Sequence, residues 1–311
     1  MKKLIALSLT MMLSLSLVAC GSTDDTQNQS DPASDQSADD GAGADSSADN
    51  DTDAAKDDAS NGDAQGQDSG DAAGADSDIA YVKEKGSLVV GITNFEPMDY
   101  KDADGNWVGF DADMAKAFAD SLGVTAEFVE IDWDNKIFEL DGKTIDCVWN
   151  GMTLTDEVTS SMECSRAYCN NAQVVIVHAD QADLYQDVDS LKELNFAVEA
   201  GSAGEAQAKS NNFSYTPVQQ QSAALMEVAA GTADAAIIDS LMAAAMVGEG
   251  TGYADLTYTV GLNSEEYGVG FRKGSDLAAA LNDFFVASYQ DGSMLEAAET
   301  YGVQAAVIEQ K

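Results

Sequence analysis

From residue 87 onward, short apolar runs of strand length alternate with stretches whose apolar residues fall on one helical face. SLVVGIT (87–93) is rich in β-branched residues and is followed by Asn94, which predicts a buried strand. In GNWVGFDADMAKAFADSLG (105–123), Asp-Gly-Asn marks a hairpin-like turn. Met114, Phe118 and Leu122 then fall four apart, and Gly123 closes the helix. VTAEFVEI (124–131) reads as a strand, DNKIFEL as a short helix and TIDCVWN (144–150) as a third strand. A second series follows Tyr168. AQVVIVHA is a strand, and NFAVEAGSAGEAQAKS is a strand, a Gly-rich turn and a helix. SYTPVQQ is a strand, QSAALMEVAAG a helix, and DAAIIDS a strand that feeds the helix LMAAAMV. YGVGFRKG returns as a strand, and two helices end the chain, near 275–290 and 293–301. Two α/β units with the chain crossing between them predict two lobes and a cleft, with ligands beyond the carboxyl ends of the strands.

The first 78 residues have neither rhythm. Lys2 and Lys3 precede the apolar stretch LIALSLTMMLSLSLVA, which is too short and too close to the N-terminus for a usual spanning helix. It ends in LVAC, with Cys20 followed by Gly21, and resembles a bacterial lipobox. That resemblance implies a signal peptide over 1–19 and lipid attachment at Cys20, so the mature chain is expected outside the membrane on a lipid anchor. Residues 20–78 are Asp, Ala, Ser, Gly, Gln and Asn with almost nothing apolar, and predict a disordered acidic tether. Its aspartates lack the spacing and turn glycine of a calcium loop. The net charge of the chain is −40, of which 79–311 carries −26. Such acidity speaks against nucleic acid and anionic lipid as partners.

The segments GITNFEPMDY, GNWVGFDADMAKAFADSLG, DWDNKIFELDGKTIDCVWNGMTLTDE, AVEAGSAGE, GTADAAIIDS and YGVGFRKGSDLAAALN, in this order, resemble the polar-amino-acid-binding proteins of solute-binding family 3. These are receptor subunits of ABC importers. The resemblance covers essentially all of 79–311. It implies a two-lobed, type II periplasmic-binding-protein fold, with lobe 1 at 79–170 and 267–311 and lobe 2 at 171–266. The crossovers near 169–173 and 264–269 would form the hinge, and the lobes would close on a small solute for delivery to permease subunits. No catalytic residue, cofactor or metal is expected.

The resemblance also assigns site residues. Phe95 and Trp133 match positions that wall the ligand, through buried area and, for a cation, the ring face; the alternative is plain packing in the lobe 1 core. Gly151 and Thr153 match a carbonyl and a hydroxyl that accept from an α-ammonium group. Asp239 matches its carboxylate partner, although a strand-end Asp before a helix is also an ordinary N-cap. The AGSAGE loop, around Ser202 and Ala203, matches a helix start whose amides face the ligand carboxylate; a plain Gly-Ser cap has the same sequence. One position departs from the pattern. Where the family reads T-x-E-R, this chain reads T-D-E-V, so Val158 replaces the arginine that clamps the carboxylate. The chain has two arginines. Arg272 is expected on a solvated face, and Arg166 is the arginine considered as a replacement, with Lys136 and Lys209 as other cations. Three readings follow. An amino acid is held by the 202–204 amides and another cation, which we favour. The alternatives are an amine or derivative lacking a free α-carboxylate, and a sensory binding protein.

His178, the one histidine, is expected to be a satisfied strand-end residue, and Cys147 a buried small hydrophobe. Cys164 and Cys169 admit a disulfide only if the chain between them does not run extended. An extracytoplasmic dehydratase, the competing enzyme class, would need a cleft acid beyond Asp239, such as Glu96 or Glu157. On the favoured reading, Val158→Arg leaves amino-acid affinity equal or tighter by titration calorimetry; a weakened affinity would count against it.

Overall fold

Residues 77–311 are described by the computed structural model. The leader, Cys20 and the acidic segment through residue 76 lie outside the described residues. In chain order the elements begin with α1 (Asp78–Lys85), β1 (Ser87–Ile92), β2 (Tyr100–Lys101), β3 (Trp107–Val108), α2 (Phe110–Leu122) and β4 (Thr125–Glu130). Next come α3 (Lys136–Asp141), β5 (Cys147–Thr153), α4 (Asp156–Ser161), β6 (Glu163–Cys164), β7 (Cys169–Asn171) and β8 (Gln173–His178). They continue as β9 (Asn195–Glu199), α5 (Ala203–Ser210), β10 (Ser214–Val218), α6 (Gln221–Ala230), β11 (Ala235–Asp239) and α7 (Ser240–Met246). The last are β12 (Leu256–Gly261), β13 (Glu265–Phe271), α8 (Leu277–Asp291) and α9 (Ser293–Thr300).

The strands form two open sheets and a small hairpin. The first has the order β4-β1-β5-β13-β6, with β7 also on β13; the second has the order β10-β9-β11-β8-β12. In each, three parallel strands meet antiparallel ones: β13 runs against β5, and β8 against β11. The central strands β5, β8 and β11 are buried almost throughout, which is why they read as unbroken apolar runs. The edge strands β4 and β10 are polar and partly exposed, and Pro217 is tolerated in β10 because that strand has one neighbour. The chain leaves the first sheet after Asn171 and returns with Glu265, so β7, β8 and β13 are the elements that join the two sheets.

Four features differ from the sequence expectation or go beyond it. β5 starts at Cys147 rather than near 144, because Asp146 is drawn aside: its carboxylate accepts the Val89 N–H at 2.8 Å and pairs with Arg272 at 3.4 Å. Arg272 is therefore not on a solvated face. It is 8% exposed, held by Asp78 at 3.0 Å, Asp146 and the Ile145 carbonyl at 2.8 Å, so its desolvated fork is met by acceptors. Cys164 and Cys169 are free thiols. Their strands lie beside Gly270 and Tyr267 of β13, about 10 Å apart along an extended chain, beyond disulfide reach. Helix α1 and strand β12 were not anticipated from their short, weakly periodic sequences.

Gly109 opens α2 with φ 129°, and a Cβ there would lie 2.1 Å from the Met98 carbonyl oxygen. Gly109→Ala is expected to destabilise the fold by roughly 2–4 kcal/mol, read as a lower denaturant midpoint at unchanged slope.

Candidate functional site

A cavity of about 260 Å³ opens where the carboxyl ends of β5, β9 and β11 meet the start of α5. Phe95, Trp133, Gly151, Thr153, Ser202, Ala203 and Asp239 all border it, and so does Val158. These residues come from both sheets, so the cleft is built from the two units together.

The first wall follows from β5. Gly151 has φ 55°, and a Cβ there would lie 2.5 Å from the Phe95 ring, so glycine lets that ring close over the strand. The Gly151 N–H is held at 2.7 Å by Asp111 Oδ2, which also accepts the Tyr168 hydroxyl at 2.7 Å. Phe95 is 2% exposed and packs edge-on against Tyr267 with centroids 6.3 Å apart. Core packing and cleft lining thus coexist in one ring. The Thr153 hydroxyl donates to Glu265 Oε1 at 2.9 Å, which leaves its lone pairs free to accept.

Asp239 ends β11, buried, at the N-terminal boundary of α7, but its side chain makes no capping bond. Its Oδ1 accepts from Asn171 Nδ2, from Gln173 Nε2 at 3.1 Å and from the Tyr267 hydroxyl at 2.6 Å. Its Oδ2 accepts from Gln221 Nε2, and its backbone N–H donates to Gln221 Oε1 at 2.8 Å. Asn171 and Gln173 also donate to Glu265 Oε1, at 2.7 and 2.8 Å. Burial pushes the Asp239 carboxyl up to about 7; the nearby Glu265 charge adds to this and the donated hydrogen bonds oppose it. The N-cap alternative is therefore not what positions this side chain.

The rest of the lining comes from the start of α5 and from the Val158 region. Ser202 caps α5 by accepting the Glu205 N–H at 3.1 Å. Helix geometry leaves the Ala203 and Gly204 N–H groups without an intrahelical acceptor. Capping and an amide-lined wall are thus the same structure. Val158 is 3% exposed and packs in an apolar cluster with Trp133 and Met152. Neither Arg166 nor Lys209 fills its role. Arg166 is exposed and donates to the Lys311 carbonyl, and Lys209 pairs with Glu205 at 3.1 Å away from the cavity. Lys136 does reach the cleft. It is 8% exposed, its Nζ lies 5.0 Å from the Trp133 ring centroid, and it donates to the Trp133 carbonyl at 3.2 Å and to the Gly201 carbonyl at 2.9 Å. Gly201 belongs to the loop before α5, so this ammonium spans from one unit to the other. Burial lowers its pKa, opposed by surrounding carboxylates.

Two more residues were missed in the sequence. Gln221 orients Asp239, and Glu199, the last residue of β9, borders the cavity 2% exposed. Glu199 had a signal, because it ends a strand as Asp239 does, whereas Gln221 had none. Lys136, already a candidate cation, lies three residues after Trp133, one helical turn on. Of the acids weighed earlier, Glu157 borders the cavity and Glu96 does not. His178 meets the Val228 carbonyl at 2.9 Å, and Cys147 is buried. Among the described residues no group of acids, Cys and His is spaced to hold a metal.

With this geometry in hand, comparison with known proteins is informative. The sequence profile of the bacterial extracellular solute-binding proteins, family 3, matches residues 88–304. The chain belongs to this family. This solute-binding protein is 28% identical over 229 residues to the L-cystine-binding protein TcyJ of Escherichia coli K12, covering 71% of this chain and 84% of that protein. It is 30% identical over 164 residues to the arginine-binding extracellular protein ArtP of Bacillus subtilis, covering 51% and 63%. Among solved structures, a mutant of the arginine-binding protein of T. maritima superposes with a TM-score of 0.68 at 31% identity, covering 72% of this chain and 98% of that one. The ancestral amino-acid-binding protein AncCDT-1, a precursor of cyclohexadienyl dehydratase, superposes with a TM-score of 0.67 at 31% identity, covering 72% and 99%. The two-lobed α/β fold of these binding proteins is the fold of this chain.

Burial also pushes the Glu199 carboxyl from 4.5 up to about 8, with the Asp239 charge raising it further and Lys136 opposing. Between those values the folded protein holds a proton that the unfolded chain has released, so stability falls as pH rises from about 4.5 through about 8. Glu199→Gln removes this loss. The thermal midpoint of the variant relative to the parent should rise steadily between pH 5 and pH 8.5 and then level off.

Proposed function

We propose that this chain is the solute receptor of an ABC importer, and that it holds an amino acid in the cleft between its two lobes. The observation that carries the reading is the pair of opposite charges on one cavity: Asp239 on one side and Lys136 on the other, both buried. Asp239 and the Thr153 hydroxyl would accept from an α-ammonium group, together with the Gly151 carbonyl. Lys136 and the Ala203 and Gly204 amides would meet the α-carboxylate, so a lysine from α3 takes the place of the arginine absent at Val158. Phe95 and Trp133 would bury the apolar part of the solute. The names of the relatives, which specify cystine and arginine, agree with an amino-acid ligand.

The remaining assignments rest on the sequence. Cys20 would carry the lipid, and residues 20–78 would tether the receptor outside the cell membrane within reach of permease subunits. Residues 79–170 with 267–311 would move as one lobe against 171–266 about the crossovers. No catalytic step is assigned to the cleft.

The test is a thermal-shift screen of the full chain at pH 7 with the twenty amino acids, their amides and polyamines. A free amino acid should raise the midpoint in a concentration-dependent way, and its amide should do so less. Lys136→Met should weaken the free amino acid by tenfold or more and the amide far less. Stabilisation by amides and amines alone would instead show that the cleft selects solutes without a carboxylate.

A further inference from the structure

We propose that Glu199 is the selectivity group of the cleft, and that it receives a cationic group on the solute's side chain, so that the receptor takes basic amino acids. This rests on the amino-acid reading above and adds to it the class of side chain.

Glu199 is 2% exposed and borders the cavity, and its Oε1 is buried without a hydrogen-bond partner. Asp239 lies at the end of the next parallel strand and is met by four side-chain donors. Glu199 has no such set: the Gln221 amide beside it already donates to Asp239, and no ion pair joins it to Lys136 among the described residues. An unpaired buried carboxyl is costly unless a partner arrives. An amino-acid zwitterion uses one anion and one cation of the protein, and Asp239 and Lys136 supply them. Glu199 is then left over on the cavity border.

Charge and ring chemistry favour a cation as that partner. The cavity is bordered by four acids, Asp156, Glu157, Glu199 and Asp239, and by one base, Lys136. A solute with a positive side chain meets that acidic lining more favourably than one with a neutral side chain. The Phe95 and Trp133 faces border the same cavity and suit a weakly hydrated cation. Burial pushes the carboxyl up to about 8, which favours its protonated form near neutral pH. An approaching cation would ionise it, so the group need not stay charged while unpaired.

The experiment is titration calorimetry on the full chain with matched pairs, arginine against citrulline and lysine against norleucine, repeated on Glu199→Gln. The parent should bind the cationic member of each pair at least tenfold tighter. In Glu199→Gln, with circular dichroism confirming the fold, that ratio should fall by tenfold or more. A parent that prefers citrulline or norleucine overturns the inference, and so does a ratio unchanged in the variant. Both results leave the amino-acid receptor reading standing. A folded parent that binds no amino acid of any kind overturns that reading, and this inference with it.

Discussion

The buried Asp239 carboxylate is the interaction on which the cleft depends. Its donors come from β7, β8, β13 and the first residue of α6, and three of those elements are the ones by which the chain passes between the sheets. A carboxylate this deep persists only when its oxygens are hydrogen-bonded, so these donors cannot drift without leaving a buried charge poorly met. The same bonds that satisfy Asp239 therefore fix the register of the crossover strands. Glu265 extends the constraint, because it shares Asn171 and Gln173 with Asp239 and also receives the Thr153 hydroxyl. The acceptor wall of the cleft and the junction between the units are one hydrogen-bonded network.

The other wall is built on a different principle. There an apolar cluster of Val158, Trp133 and Met152 backs a single ammonium, which reaches across to the Gly201 carbonyl. Gly201 has φ 70°, and a Cβ on it would lie 2.7 Å from the Asp134 backbone, so the loop before α5 comes directly against the segment before α3. Gln220 adds a second bridge, donating to Glu130 at 2.9 Å. These contacts exclude water around Lys136 and strengthen each charge that lines the cavity. On the proposed reading, a flexible ammonium in place of a planar, bidentate arginine would hold a carboxylate as a point charge that the loop carbonyl orients, rather than by a fixed fork.

Much of the fold was readable because its strands are either buried on both faces or lie on a polar edge. Runs such as AQVVIVHA and DAAIID have one stable environment, the centre of a sheet. Helix α2 was equally legible from its four-residue spacing and from Gly123, which does adopt the left-handed conformation. Short elements were not legible. The strands β6 and β7 have two and three residues, and exist because β13 offers them partners. Arg272 was misread because its acceptors, Asp78 and Asp146, lie more than a hundred residues away in sequence.

The sequence by itself determined the alternation of strands and helices, the two-unit organisation, and the strand-end position of Asp239, because these follow from local periodicity and from where strands must stop; β5 runs on past the expected end at 150 to Thr153, so Gly151 lies within it. It also determined that an arginine is missing at Val158. Tertiary structure alone decided which cation stands in the cleft and which acid is left unpaired. Lys136, Arg166 and Lys209 are equivalent as letters. They differ in the desolvation that packing imposes: Lys136 is enclosed by Trp133 and the Gly201 loop, while the other two remain at the surface with partners of their own. Glu199 and Asp239 each close a strand, and only the placement of donors around them in three dimensions satisfies one and leaves the other open.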